Sequence, residues 1–138
     1  MFFIFPRRWK IVIRGGIDGY SCLITFLKAS TDNRAQTVLR YFTAAVDQYH
    51  VRSRVRTDHG GENGGVWQFM ERARGENHGS YIAGRSTHNQ RIERIWRDVY
   101  QQVVAEFSRV LPALEVDGRL DPINDLDIFC PHLVFLPS

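Results

Sequence analysis

Residues 51–63, V-R-S-R-V-R-T-D-H-G-G-E-N, change character at a single point. Val51, Ser53 and Val55 alternate with Arg52, Arg54 and Arg56, the two-residue period of a strand that carries three arginines on one face. Thr57 and Asp58 follow directly, and the glycines of D-H-G-G-E-N-G-G then turn the chain into a loop. A carboxylate is therefore set at the end of a strand, and functional groups are commonly presented where a backbone element ends.

Working outward, Ala35, Val38, Leu39, Phe42, Ala45, Val46 and Tyr49 recur at the three-and-four spacing of one helix face, behind the capping residue types Ser30, Thr31 and Asp32. Earlier still, W-K-I-V-I-R alternates over residues 9–14 and predicts a strand that Gly15 and Gly16 end or bend. Asp18, Gly19 and Tyr20 make a turn, and residues 22–27 predict the second strand of a hairpin. Downstream, Trp67, Phe69 and Met70 mark a helix stopped by Gly75, residues 80–83 a brief strand and residues 84–89 a polar loop. Residues 90–111 predict one long helix with Ile92, Ile95, Trp96, Val99, Val103, Phe107 and Val110 in one stripe, closed by Pro112. The tail, acidic over residues 115–127 and apolar over residues 128–136, predicts a further helix packed back on the body. Two leading strands followed by interleaved helices and strands predict an α/β domain with a mixed sheet.

A chain of 138 residues builds one core rather than two. Its 18 basic residues exceed its 15 acidic ones, giving a charge of +3 that permits a phosphate-bearing partner without demanding one. All but Lys10 and Lys28 of those cations are arginines, whose planar fork suits bidentate contacts to phosphate or carboxylate. Cys22 and Cys130 lie far apart outside any C-x-x-C pair, and the five histidines lack ligand spacing, so neither a disulfide framework nor a zinc site is indicated. The apolar residues 1–5 are cut short by Pro6, Arg7 and Arg8, well below the length of a membrane span or a signal peptide's apolar region. An intracellular protein without a membrane partner is expected.

Three carboxylates stand out by position: Asp18 in the first turn, Asp58 after the arginine-bearing strand and Glu93 early in the long helix. Each has an ordinary explanation. Asp18 suits a turn, Asp58 an Asx-type turn, and Glu93 has Arg97 four residues on as a helix-surface ion pair. Together, however, T-D-H-G-G-E-N and T-H-N-Q-R-I-E-R-I-W resemble the DDE integrase and transposase superfamily. In that pattern an Asp ends a strand as D-N-G-x-E-F, and a Glu opens a helix as N-G-x-x-E-R. Here 34 residues separate Asp58 from Glu93, Glu62 and Asn89 stand at matching places, and I-D-G-Y-S is similar to the family's V-I-D-x-Y-S-R turn. The resemblance covers residues 9–111, leaving residues 112–138 as a C-terminal extension.

The resemblance implies an RNase H-like catalytic core: a mixed sheet flanked by helices, with Asp58 and Glu93 as catalytic residues and metal ligands. It implies Mg²⁺ or Mn²⁺ as cofactor and DNA as partner. Two such ions about 3.5 to 4 Å apart would activate the attacking oxygen and steady the leaving one. Arg85, Asn89, Gln90, Arg91 and Arg94 would hold DNA, and Trp96 reads as core. It further implies a homo-oligomer acting in the nucleus, though no compact basic cluster marks nuclear import. The sequence also departs from the pattern. The family's first catalytic Asp lies in a W-x-x-D strand about eight residues before the position of Trp9, which falls on Met1. The chain is expected to begin after that first strand and to lack the zinc-binding N-terminal domain. His59 stands in place of Asn, Cys22 in place of Arg, and His50 and Arg52 in place of the Gly and Pro of a G-x-P turn. Asp58 and Glu93 alone should therefore hold at most one ion weakly, with no strand transfer by this chain by itself. The first strand is central in the five-stranded sheet, so its loss would expose unpaired edges that F-F-I-F, with its strong β propensity, could partly cover. The alternative reading is a non-catalytic nucleic-acid-binding module that keeps the arginine surface, and a third is a remnant without a settled fold.

Overall fold

Strand β2 (Val12–Ile17) sits between two antiparallel neighbours in a computed structural model that describes residues 2–4, 9–76, 78–84 and 90–135. On one side it pairs with β1 (Phe2–Ile4), Phe3 opposite Ile13, and on the other with β3 (Ile24–Ser30), Ile13 opposite Ala29. The expected hairpin is present, and Phe2–Ile4 supplies an extra edge strand, in keeping with β propensity. The expected strand over residues 9–14 starts later than its alternation implied. Trp9 lies in a short 3₁₀ turn, and Lys10 adopts a left-handed φ of 52°. The strand also runs on through Gly15 and Gly16 instead of ending there. A Cβ on Gly15 would stand 3.1 Å from Cη2 of Trp96, so the glycine lets an indole approach the sheet, and the register slips just after Gly16.

Helix α1 (Ala35–Tyr49) follows the predicted stripe and packs on β3 and on α2 (Gly64–Arg74), which a 3₁₀ turn over Gly61–Asn63 introduces. Phe42 meets Phe69 edge-on at 5.6 Å between centroids, and a Cβ on Gly65 would lie 3.3 Å from Leu39. Gly75, at φ 90°, ends α2 where a side chain would be strained.

The arginine-bearing segment is regular only over β4 (Val55–Thr57), which pairs in parallel with β5 (Tyr81–Ala83). Sequence alternation predicted a strand from Val51. Residues 51–54 have no ladder partner among the described residues, and alternation without a neighbour does not make a strand. The α/β class with strands flanked by helices is the expected one, but the sheet is divided: β1, β2 and β3 form one, β4 and β5 another.

The long helix comes in three pieces, α3 (Gln90–Val99), a π-helical turn over Tyr100–Val104 and α4 (Ala105–Val116). Pro112 does not close it. The proline lies inside α4, where it removes one N–H without stopping the helix. The stop is Gly118, at φ 68°, with Arg119 N–H donating to Leu114 O at 2.9 Å and Gly118 N–H to Glu115 O at 3.0 Å, a Schellman arrangement. Trp9, Ile11, Val104 and Leu111 form a fully enclosed cluster between the start of the chain and these helices. In the tail, α5 (Asp125–Phe135) buries Ile128, and His132 Nε2 lies 2.7 Å from Trp9 O.

Replacing Gly118 by alanine forces a β-carbon into the left-handed region and is expected to cost about 1 kcal/mol. Urea unfolding of Gly118→Ala measures this, and an unchanged midpoint would show that the α4 stop lies elsewhere.

Candidate functional site

Asp58 leaves β4 at its carboxyl end and is fixed from two sides. Thr57 is buried and donates its hydroxyl to Asp58 O at 3.0 Å, while Tyr81 Oη lies 2.5 Å from the same Thr57 Oγ1 and acts as donor to it. Asn63, 4% exposed at the start of α2, donates through Nδ2 to Asp58 Oδ1 at 2.9 Å. One carboxylate oxygen is thus oriented by a buried amide, and the other is the one able to meet a cation or a phosphate-bound ion.

Glu93 lies in the first turn of α3, exposed, where the helix N-terminus favours negative charge. Its neighbours Ile92 and Trp96 are buried, so the glutamate stands at the border of the apolar stripe as its wheel position required. A cavity of about 990 Å³ opens between β2, β4 and α1, and Thr57, Asn63 and Ile92 all line it. Neither Asp58 nor Glu93 is itself among the lining residues: Asp58 follows the lining Thr57 in the chain, and Glu93, exposed, follows the lining Ile92. Arg94 is exposed on α3. Gln90 and Arg91 open that helix with side chains outside what the structure describes, and Arg85 and Asn89 lie outside the described residues.

Asp18 takes the turn role. Its Oδ2 accepts from Ser21 Oγ at 2.6 Å and from Ser21 N–H at 3.1 Å, and these bonds, aided by Arg52 Nε at 3.9 Å from Oδ1, hold its carboxyl below the usual range. Because folding lowers this pKa, the contribution to stability is complete above the unfolded value and disappears as pH falls through the folded one.

Arg14 is the residue the sequence concealed. Strand alternation placed it with Lys10 on a face opposite Trp9, yet it is 2% exposed. Nη1 donates to Ser30 Oγ at 2.7 Å, and Nη2 to Asp32 O at 2.7 Å and Asn33 Oδ1 at 2.8 Å. Burial pushes its pKa down, opposed by the charge of Asp32. The polar run S-T-D-N was the available signal, and it reads as helix capping instead.

The donor set falls short of a two-ion cage. A hard divalent cation takes six or more oxygens, and among the described residues no three of His, Cys, Asp and Glu converge. None of the described helices is long and apolar enough to cross a membrane. A sequence model of the integrase core domain matches residues 6–138. No curated protein matches the chain.

Removing the Ser21 hydroxyl should raise the Asp18 pKa toward the ordinary carboxylate value in Ser21→Ala. A carboxyl ¹³C titration reads this directly, and an unmoved Asp18 would mean that the turn bonds do not set it. Asn63→Ala is expected to cost about 1 kcal/mol in urea unfolding, from the lost hydrogen bond to Asp58.

Proposed function

The chain belongs to the integrase core domain family, and from that premise we propose that it is a DNA-binding integrase-like protein of mobile-element origin that does not carry out strand transfer by itself. Asp58 and Glu93 are the acids of the family's cation site. What supports this reading is the family match, together with the position of each acid in the chain next to a residue that lines one cavity, Asp58 after Thr57 at the end of β4 and Glu93 after Ile92 at the start of α3. When bound, Mg²⁺ or Mn²⁺ would supply charge stabilisation at a phosphate oxygen. With two carboxylates and no third ligand among the described residues, the site would hold one ion weakly.

The chain's own groups bind and orient. Asn63 fixes the rotation of the Asp58 carboxylate, and Arg94 on the exposed side of α3 meets the DNA backbone, joined by Arg85, Asn89, Gln90 and Arg91 from the segment leading into that helix. A phosphate contact positions DNA without reading its sequence. Homo-oligomeric assembly and action in the nucleus belong to the same reading, as does the division into a core over residues 9–111 and an extension over residues 112–138. A second reading, a DNA-binding module that has no metal affinity, is favoured by the absence of a three-ligand cluster among the described residues.

Two titrations separate them. Duplex DNA should bind with an affinity that falls steeply with salt, and Arg94→Ala should reduce the log-log slope by about one unit. Absence of binding at low salt contradicts both readings. Mn²⁺ should bind the chain more tightly than the double variant Asp58→Asn, Glu93→Gln, and equal binding by the two removes the cation site and leaves the module.

A further inference from the structure

A recess of about 290 Å³ lies between α2 and the start of β5, lined by Trp67, Glu71, His78, Gly79, Ser80 and Tyr81. None of these residues borders the large cavity, so the two spaces share no wall. Trp67 and Glu71 are four residues apart on α2 and therefore stand one above the other on one face of the helix. Tyr81 contributes from β5; its hydroxyl is already bonded to Thr57, so the ring is what it offers the recess. Gly75 ends α2 without a β-carbon, which would stand 2.9 Å from Cδ2 of His78, and the imidazole lies over the helix end in consequence.

The charge of this lining has one sign. Glu71 is half-buried and carries no ion pair among the described residues, and neither a lysine nor an arginine lines the recess. Arg74, three residues on, gives its Nη2 to Val51 O instead. The carboxyl end of α2 adds the negative pole of the helix dipole. Trp67 is 43% exposed, whereas Trp9 and Trp96 are buried, so it alone of the three indoles has a face open to a ligand, and such a face attracts cations. An organic cation is the matching ligand. At about 290 Å³ the recess sits at the lower limit of small-molecule sites, roughly 300 Å³, and suits one long side chain. A guanidinium uses both walls together, since its plane stacks on an aromatic ring while its fork donates two hydrogen bonds to a carboxylate. An ammonium is a compact point charge without that fork.

We propose that this recess receives an arginine side chain of a partner polypeptide, the guanidinium stacked on Trp67 and paired with Glu71. The site is separate from Asp58, Glu93 and the arginines of α3, and it stands whether or not the chain binds DNA or a divalent cation.

The test is an NMR titration of the whole 138-residue chain with N-acetyl-arginine methylamide, followed at the Trp67 indole N–H and at the amides of Gly79 and Ser80. These signals should move together and saturate in the millimolar range that so small a ligand can reach. The citrulline counterpart, which has the same shape but no charge, should not bind, and the lysine counterpart should bind several-fold more weakly. Glu71→Gln should weaken arginine binding about tenfold, the loss of a charge-assisted pair. Trp67→Ala, read at the two amides, should weaken it by about two- to fivefold. Should either variant fail to fold, the arginine and citrulline comparison on the unaltered chain decides. The proposal is overturned if blocked arginine leaves these signals unmoved, if citrulline binds equally well, or if Glu71→Gln binds arginine as tightly as the unaltered chain. Tighter binding by free arginine than by the blocked residue also overturns it, in favour of a site for the amino acid itself.

Discussion

A buried guanidinium must be surrounded by acceptors, and the arrangement around Arg14 follows from that requirement. Its hydrogen bonds to Ser30, Asp32 and Asn33 tie β2 to the end of β3 and to the approach to α1. Breaking such a set leaves an uncompensated charge in the interior, a far larger penalty than the loss of one surface contact. With β2 held in this way, Trp96 closes against Gly15, and α3 is fixed along the sheet with Glu93 one turn before the indole. Arg14 also stands in the wall of the cavity that separates β2 from β4. The same side chain therefore braces the antiparallel sheet and defines one bank of the cleft.

The acids at the end of β4 and the start of α3 are the ones proposed for chemistry on phosphate, and among the described residues no cluster of three His, Cys, Asp or Glu includes them. Asn63 orients one oxygen of Asp58, whereas Glu93 stands exposed on α3.

Much of this was legible before any coordinates. The stripe from Ala35 to Tyr49 is a helix because seven apolar positions at helical spacing leave little alternative, and Asp58 ends a strand because T-D-H-G-G stops β pairing wherever β4 begins. The family resemblance carried by the Asp58 to Glu93 spacing agrees with the match over residues 6–138. Other features depend on contacts that periodicity does not contain. Gly15 and Gly16 read as a strand end, but the tertiary approach of Trp96 makes glycine a requirement inside the strand. Pro112 read as a helix stop, yet a lost N–H is tolerable where the helix is packed, and the left-handed Gly118 is the true end. The burial of Arg14 was invisible, since a charged residue in an alternating strand reads as surface. The division of the sheet was likewise hidden, because pairing is a property of two edges and not of one segment.

The central claim is that the carboxylates of Asp58 and Glu93 serve one cleft. Paramagnetic broadening of backbone amide signals by substoichiometric Mn²⁺ tests it most directly, because the effect depends on distance from the ion and tolerates weak binding. The account predicts that signals from residues 57–59 and residues 92–94 fade together at the same Mn²⁺ concentration, ahead of the rest of the chain. Broadening confined to one of the two segments, or centred on another acidic region such as residues 121–127, would contradict it.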